Sequence, residues 1–267
     1  MKEEETTVVV EEEEEKREEK DLHRKEIKKL EERRARRKAK EEKDVILEES
    51  REKASEWIPK TKLGQDVLNG KYTSIEDVLK AGHMILEPEI TDYLVPDLKS
   101  EIVYIGGSPG KGGGIRRTAT KRTVRMHKSG RRYKLTSVIL VGDGKGIIGI
   151  GKGSSREHRT ALEKALEQAK MNVIRVRKGC GSWECRCGGD HSIPFKTTAH
   201  YGSITVTLIP GPKGLGIVAC PPIRKMLSLA GIKDVWVKTR GQTGTRMNLV
   251  YATFEALKNL NRTKGDL

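Results

Sequence analysis

Apolar positions fall into distinct regimes along the chain. Through residues 1–56 they are confined to Val8–Val10, Leu22, Ile27, Leu30 and Val45–Leu47, set among Glu, Lys and Arg. Such a segment cannot bury a core, so it is expected to be disordered or a solvated helix held by close Glu–Lys and Glu–Arg pairs. From Trp57 to Leu98, short apolar clusters alternate with turn signals at Leu63-Gly64, Asn69-Gly70 and Glu87-Pro88. Ser74, with Asp77 three residues on and Val78-Leu79 behind it, predicts a helix start. Residues 57–105 therefore read as a small packed arm. Residues 106–122 open with GGSPGKGGG over Gly106–Gly114, which is expected to be a mobile loop without helix or strand. A basic run follows it.

The pattern from 123 to 178 predicts a compact unit of three strands and a helix. Thr123–His127 and Tyr133–Val141 have strand chemistry, separated by a turn at Ser129-Gly130. Asp143-Gly144 marks a hairpin, and Gly146–Gly151 carries Ile147, Ile148 and Ile150. Ser154 and Glu157 have capping-box spacing. The helix after them places Leu162, Ala165, Leu166, Ala169 and Val173 on one face, which a sheet needs as cover. Residues 179–192 form a Cys- and Gly-rich linker. From 193 to 267 the pattern is strand (Ser203–Ile209), a break at Pro210–Gly216, a helix opened by Pro221-Pro222 and closed at Gly231, a strand at Val235–Val237, and a closing helix on Met247, Val250, Tyr251, Phe254 and Leu257. The fold class is α+β, ending in a strand–helix–strand–helix two-layer sandwich.

Charge sharpens this division. The chain carries 53 Lys and Arg against 38 Asp and Glu. Of these, 17 basic and 21 acidic residues lie in 1–56, so 57–267 has a net charge of +19. A strongly basic folded part points to a polyanionic partner, most simply a phosphate backbone. No run of about 18 apolar residues occurs, so no bilayer-spanning helix is expected. The start of the chain lacks the basic-then-apolar order of a signal peptide, and a cytoplasmic location is expected. There the four cysteines would stay reduced or bind metal.

Three clusters carry candidate chemistry. The first is the tip from Lys128 through Arg131, Arg132 and Lys134, preceded by Arg116, Arg117, Lys121 and Arg125; a turn bearing these cations presents them to phosphates. Arg33–Lys40, with six basic residues, is a further candidate RNA track. The second is Gly146–Lys152, which resembles half of a nucleotide-binding P-loop but has Gly153 where a magnesium-binding Ser or Thr belongs. Nucleotide hydrolysis is therefore set aside. Backbone N–H groups at a helix start, with Lys152, Arg156 and Arg159, are expected to hold an RNA phosphate instead. The third is Cys180, Cys185, Cys187 and His191, four soft ligands within twelve residues. Tetrahedral zinc uses such a set, but the spacing is not the two-residue knuckle of a zinc ribbon. A flexible linker with reduced thiols is the favoured reading, with zinc the alternative and no cofactor required. Cys220 stands apart and is expected to be a small buried apolar residue. No base poised by a third group accompanies the thiols, so catalysis is not expected.

Ordered motifs then match a family. Thr123-Val-Arg-Met-His-Lys-Ser-Gly-Arg-Arg-Tyr133, Val141-Gly-Asp-Gly, Gly149-Ile-Gly-Lys-Gly and Ala169-Lys-Met-Asn-Val173 resemble the RNA-binding half of small-subunit ribosomal protein five. Gly179-Cys-Gly-Ser-Trp-Glu-Cys185, His191-Ser-Ile-Pro194, Leu208-Ile-Pro-Gly-Pro-Lys-Gly214 and Leu229-Ala-Gly-Ile-Lys-Asp-Val-Trp236 continue the resemblance. Trp57 through Gly64 is similar to the arm of archaeal and eukaryotic members, and the cover runs over 57–262. The resemblance implies a double-stranded-RNA-binding-like domain followed by an α/β domain without catalysis. It implies contacts with small-subunit rRNA and with ribosomal proteins four and eight, near the mRNA entrance, and an influence on decoding accuracy. Neither a membrane partner nor a homo-oligomer is implied. By carry-over, Lys128–Arg132 is the rRNA contact near the decoding region. The competing reading is a zinc-dependent RNA-binding regulator acting off the ribosome.

Overall fold

The computed structural model describes residues 57–110 and 112–262. The expectations for residues 1–56, including Arg33–Lys40, lie outside them.

The arm consists of α1 (Lys62–Leu68), α2 (Ile75–Lys80) and α3 (Pro88–Leu94). Thr61 caps α1 by accepting from the Gly64 N–H at 3.1 Å. Ser74 caps α2 by accepting from the Asp77 N–H at 3.3 Å, as the Ser-x-x-Asp spacing predicts. Val67, Ile75, Val78, Ile85, Ile90 and Val95 form the arm's core, and Ile147 and Val173 of the next unit complete it. The arm is thus clamped to that unit. Thr91 Oγ1 donates to the Lys170 carbonyl at 2.7 Å, and Lys170 pairs with Asp92 at 2.6 Å. The beginning of the arm is pinned by Glu87, which accepts from Trp57 Nε1 (2.9 Å), the Lys60 N–H (2.9 Å) and the Thr61 N–H (2.6 Å).

After β1 (Lys99–Ile102), the glycine-rich stretch departs from expectation. Gly106–Pro109 forms β2 and pairs with β3 (Ile115–Thr118) as a small hairpin. The reason is close approach. A Cβ on Gly106 would lie 2.1 Å from Thr118 Oγ1 and from the Thr120 carbonyl, and one on Gly107 would lie 2.8 Å from Ile115 Cγ2. Gly106 and Gly107 let two backbones meet, while Gly110 and Gly112–Gly114 lie outside the two strands, where a loop is expected.

The next unit contains β4 (Thr120–His127), β5 (Gly130–Gly142), β6 (Ile147–Ser155), α4 (His158–Met171) and β7 (Val173–Arg175). β1 is part of its antiparallel sheet, so the end of the arm belongs structurally to this unit. β5 pairs with β6 along one edge, and with β4 and then β1 along the other. α4 starts three residues later than the Ser154 cap predicts: its N-cap is Glu157, without a side-chain hydrogen bond, while Ser155 Oγ accepts from Thr160 Oγ1 at 2.7 Å. The helix lies almost backbone-to-backbone on β6. Cβ atoms on Gly149, Gly151 and Gly153 would meet Ala169 O at 2.3 Å, Ala165 O at 2.0 Å and Ala161 O at 2.1 Å.

The last unit is a four-stranded sheet in the order β10-β11-β9-β8, formed by β8 (Thr197–Tyr201), β9 (Ile204–Pro210), β10 (Ile217–Val218) and β11 (Val235–Arg240), with α5 (Pro221–Leu229) and α6 (Arg246–Asn259). The expected strand–helix–strand–helix order is therefore incomplete: β8 precedes it and the short β10 runs parallel to β11. β8 escapes the sequence pattern because its inward positions are Thr197 and Ala199, too weakly apolar to mark an alternation. Ile223, Met226 and Leu227 of α5 join one core with Leu140, Ile148 and Ile150 of the first sheet and Ile204, Val206 and Leu208 of the second. Cys220 is only partly buried, as the N-cap of α5.

Two expectations rest on this packing. Gly151→Ala forces a Cβ into the α4 backbone, so it is expected to cost about 1–3 kcal/mol in urea unfolding. Gly114→Ala, which meets nothing within 4 Å, should stay within about 0.5 kcal/mol of the parent. The second concerns acid. Burial pushes the Glu87 carboxyl up, but hydrogen bonds from Thr61, Lys60 and Trp57 outweigh it and hold the group below its usual range. A native pKa below the unfolded one contributes stability above the unfolded carboxylate pKa, about 4.3, and loses it as pH falls through the native value. The stability gap between the parent and Glu87→Gln should therefore narrow in thermal unfolding as pH drops from about 7 to 3. A gap independent of pH would show that the charge of Glu87 is not what pins the arm.

Candidate functional site

β4 and the first half of β5 run beyond the end of β6, leaving a two-stranded tip. Register places His127 opposite Gly130 around the turn Lys128-Ser129, with Gly130 at φ 104°. Residues directly opposed across an antiparallel pair share a face. Arg125 thus stands beside Arg132, Thr123 beside Lys134, and Lys121 beside Thr136. One face of the hairpin carries Lys121, Arg125, Arg132 and Lys134. The other carries Arg122, Arg131, Val124, Tyr133 and Met126, and the Arg122 guanidinium sits 4.8 Å from the Tyr133 ring centroid. Within the tip, Arg132 Nη2 donates to Ser129 Oγ at 2.8 Å. Among the described residues, no carboxylate lies within ion-pair distance of these cations.

Arg116 and Arg117 lie apart from the tip, exposed on β3. Lys134 and Arg156 come together across the strand end in an open groove shared with Tyr133, Ser155, Glu157 and Thr160. Arg159 is tied to Glu163 at 3.0 Å on the outer face of α4. Lys152 is not with them. It stands opposite Val138 on the sheet face turned away from α4. The expected phosphate cradle at Gly146–Lys152 is corrected accordingly. Ile147–Lys152 is strand, its backbone is engaged in the sheet, and Lys152 N donates to Gln168 Oε1 at 2.8 Å. Glycine at 149 and 151 makes room for α4, not for a phosphate. The helix start itself lies past Arg156, where first-turn N–H groups have no side-chain cap.

Sequence reasoning places Arg122 in the basic segment and Tyr133 in the tip but gives neither a contact role, although they complete the hairpin's second face. A usable signal exists: no Asp or Glu occurs between Glu101 and Asp143, while ten Lys and Arg do.

The second cluster lies between the units. The bridge Gly179↔Ser192 closes a loop that brings Cys180 Sγ, Cys185 Sγ, Cys187 Sγ and a ring nitrogen of His191 within 4.8 Å of one another. His191 Nε2 is 3.1 Å from Cys187 Sγ and 3.7 Å from Cys185 Sγ. Its Nδ1 is 2.8 Å from Asp234 Oδ2. The hydrogen bond with the Cys187 side chain, then one from the Lys213 backbone, pull the Cys185 thiol down to about 6, while partial burial pushes Cys180 up. The pairing of Asp234 with His191 escapes sequence reasoning because the two lie 43 residues apart, in separate motifs.

Fold and surface define a two-unit α+β protein whose projecting hairpin has the chemistry that grips phosphate. Residues 117–177 match the family described as ribosomal protein S5, N-terminal domain, and residues 199–267 match ribosomal protein S5, C-terminal domain. The chain is 46% identical over 209 residues to small ribosomal subunit protein uS5 of Methanocaldococcus jannaschii, covering 78% of this chain and 89% of that protein. It is 43% identical over 210 residues to uS5 of Methanothermobacter thermautotrophicus and 46% identical over 211 residues to uS5 of Nanoarchaeum equitans, covering 79% and 78% of this chain and 90% of each relative. The chain belongs to the ribosomal protein S5 family, in its archaeal form.

The opposed Arg125 and Arg132 repel each other. Arg125→Glu is expected to stabilise the hairpin by about 0.2–1 kcal/mol, read as slower amide exchange at Val124–Tyr133. Faster exchange would mean that the two guanidinium groups do not strain the tip.

Proposed function

We propose that the chain is a structural constituent of the small ribosomal subunit, that it binds small-subunit rRNA, and that it catalyses no reaction. The observation that carries this reading is the acid-free hairpin, which displays cations on both faces beyond the sheet, in a chain of the S5 family. Adjacent unpaired cations are costly alone and favourable against a phosphate backbone, whose condensed counterions they displace. Lys121, Arg125, Lys128, Arg131, Arg132 and Lys134 form the principal contact. Arg116 and Arg117 extend it along β3, and Arg156 extends it through the groove beside Lys134; Arg159 and Lys152 are flanking charges. Tyr133 and Arg122 add a flat surface for base stacking.

In this reading β4–β6 with α4 act as a double-stranded-RNA-binding-like module. The subunit neighbours are ribosomal proteins four and eight, near the mRNA entrance, and the protein supports decoding accuracy as a single cytoplasmic copy. No helix among the described residues is long and apolar enough to cross a membrane. The alternative of a zinc-dependent regulator off the ribosome has no support from relatives that are named as subunit proteins.

Replacing Arg125, Arg132 and Lys134 together with Ala is expected to lower rRNA affinity steeply. The slope of log K against log salt should shrink by about 0.7–0.9 for each phosphate that is no longer neutralised. Sedimentation with small subunits should fall in parallel. Lys71→Ala, on the arm and paired with Asp66, should change neither. An unchanged slope in the triple variant would remove the hairpin from the interface.

A further inference from the structure

We propose that Cys180, Cys185, Cys187 and His191 bind one zinc ion in a closed structural site, with Asp234 as the carboxylate that orients the histidine. An ion about 2.3 Å from sulfur and about 2.0 Å from nitrogen spaces tetrahedral ligands roughly 3.5–4 Å apart. The four ligand atoms lie within 4.8 Å of one another, and His191 Nε2 is 3.1 Å and 3.7 Å from two of the sulfurs. That cage fits one ion. A multi-iron cluster would hold its ligands on opposite sides of a wider body, and a disulfide would leave the third thiol unused.

The histidine is aimed. Asp234 is buried, with one oxygen 2.8 Å from His191 Nδ1 and the other accepting from the Gly214 and Gly216 N–H groups at 3.1 and 2.8 Å. The carboxylate therefore holds the proton on Nδ1 and leaves the Nε2 lone pair facing the thiols. Carboxylate–histidine pairs of this kind orient metal ligands. The backbone of His191 is fixed as well, because its carbonyl accepts from Lys233 and Asp234 at 2.9 and 3.1 Å.

The loop also lacks any apolar reason to close. None of residues 180–190 is buried, and Trp183 is 90% exposed. Beyond the backbone bonds at its base, a metal crosslink is what would fix its fold, as in small metal-stabilised modules. All four positions come from the protein, leaving no open site for a substrate, so the ion is structural. It staples the segment between the units to the corner that joins α5 and β11. Binding replaces whatever S–H protons the three thiols still carry by sulfur–zinc bonds, and those protons pass to solvent.

The test uses the full chain, produced with zinc present and then washed with a weak chelator. Elemental analysis should find one zinc per chain, and exchange with cobalt(II) should give the visible absorption of a thiolate-ligated tetrahedral ion. The double variant Cys185→Ser/Cys187→Ser should lose both while keeping its far-ultraviolet dichroism and its rRNA affinity, which separates this site from the ribosomal reading. Asp234→Asn should keep the metal at about 10–100-fold lower affinity. Metal-free parent protein that takes up neither ion would overturn the proposal, as would a double variant that retains zinc. If the double variant does not fold, the cobalt spectrum of the parent decides: a sulfur charge-transfer band supports the site and its absence overturns it.

Discussion

The structure depends on the contact between α4 and β6, where a helix and a strand meet with almost no side chain between them. Gly149, Gly151 and Gly153 face Ala169, Ala165 and Ala161, and the carbonyls of those alanines occupy the space where Cβ atoms would be. Alternation along β6 then sends Ile148 and Ile150 to the opposite face. On one face of the sheet β6 is thin, and the helix covers it together with Ile139 and Val141 of β5. The other face is bulky and free to share a core with α5. The two units are joined by this division of side-chain volume, since Leu140, Ile148 and Ile150 are buried in the same cluster as Ile223, Met226 and Leu227. The turn after β5 adds to the joint, where the Gly144 N–H donates to the Leu229 carbonyl at 2.9 Å.

Anchorage of this kind is what makes the charged hairpin tolerable. A tip with seven Lys and Arg and no acid between Thr120 and Ser137 would not hold together alone. It persists because β5 is one strand with two tasks: Val138–Val141 are buried between two layers, and Gly130–Lys134 extend beyond β6 with β4 as their strand partner. The core fixes the direction of the strand, the strand fixes the register, and the register sorts the cations onto two faces. Stability and binding therefore pull in opposite directions at the same residues, as is common at sites kept for function.

Much of this is legible in the amino-acid sequence. Strand chemistry, the Ser74 cap, the helix stripe at Ala165 and Ala169, and the glycine closing α5 all rest on local rules, and local rules act over a few residues. The misreadings share a cause. At Gly106, Gly107 and Gly149–Gly153, glycine reads as backbone freedom, whereas the structure uses it for the absence of a side chain against a neighbour across the fold. A glycine's φ can be guessed from its flanks; what its missing Cβ would strike cannot. β8 escapes for a related reason, since Thr197 and Ala199 become core positions only once α6 lies over them.

The thiol cluster shows the same limit from the other side. Spacing alone ranks a slack linker above a metal site, because Cys-x4-Cys-x-Cys matches no standard knuckle. Spacing describes how a short loop wraps an ion when the loop must position every ligand by itself. Here it need not. The bridge Gly179↔Ser192 closes the loop, and the carbonyl of His191 is held by Lys233 and Asp234, so the last ligand is fixed by the α5–β11 corner and not by the loop. Asp234 does this twice, through its backbone N–H and through the carboxylate on the ring. In the proposed site one ligand is set from outside and the three cysteines need only reach it; Gly181, packed against the Pro194 carbonyl, and Gly188, at φ 61°, allow the irregular spacing. The residue that gives the cluster its geometry thus lies in a separate motif, Leu229–Trp236, far along the chain from the histidine it orients.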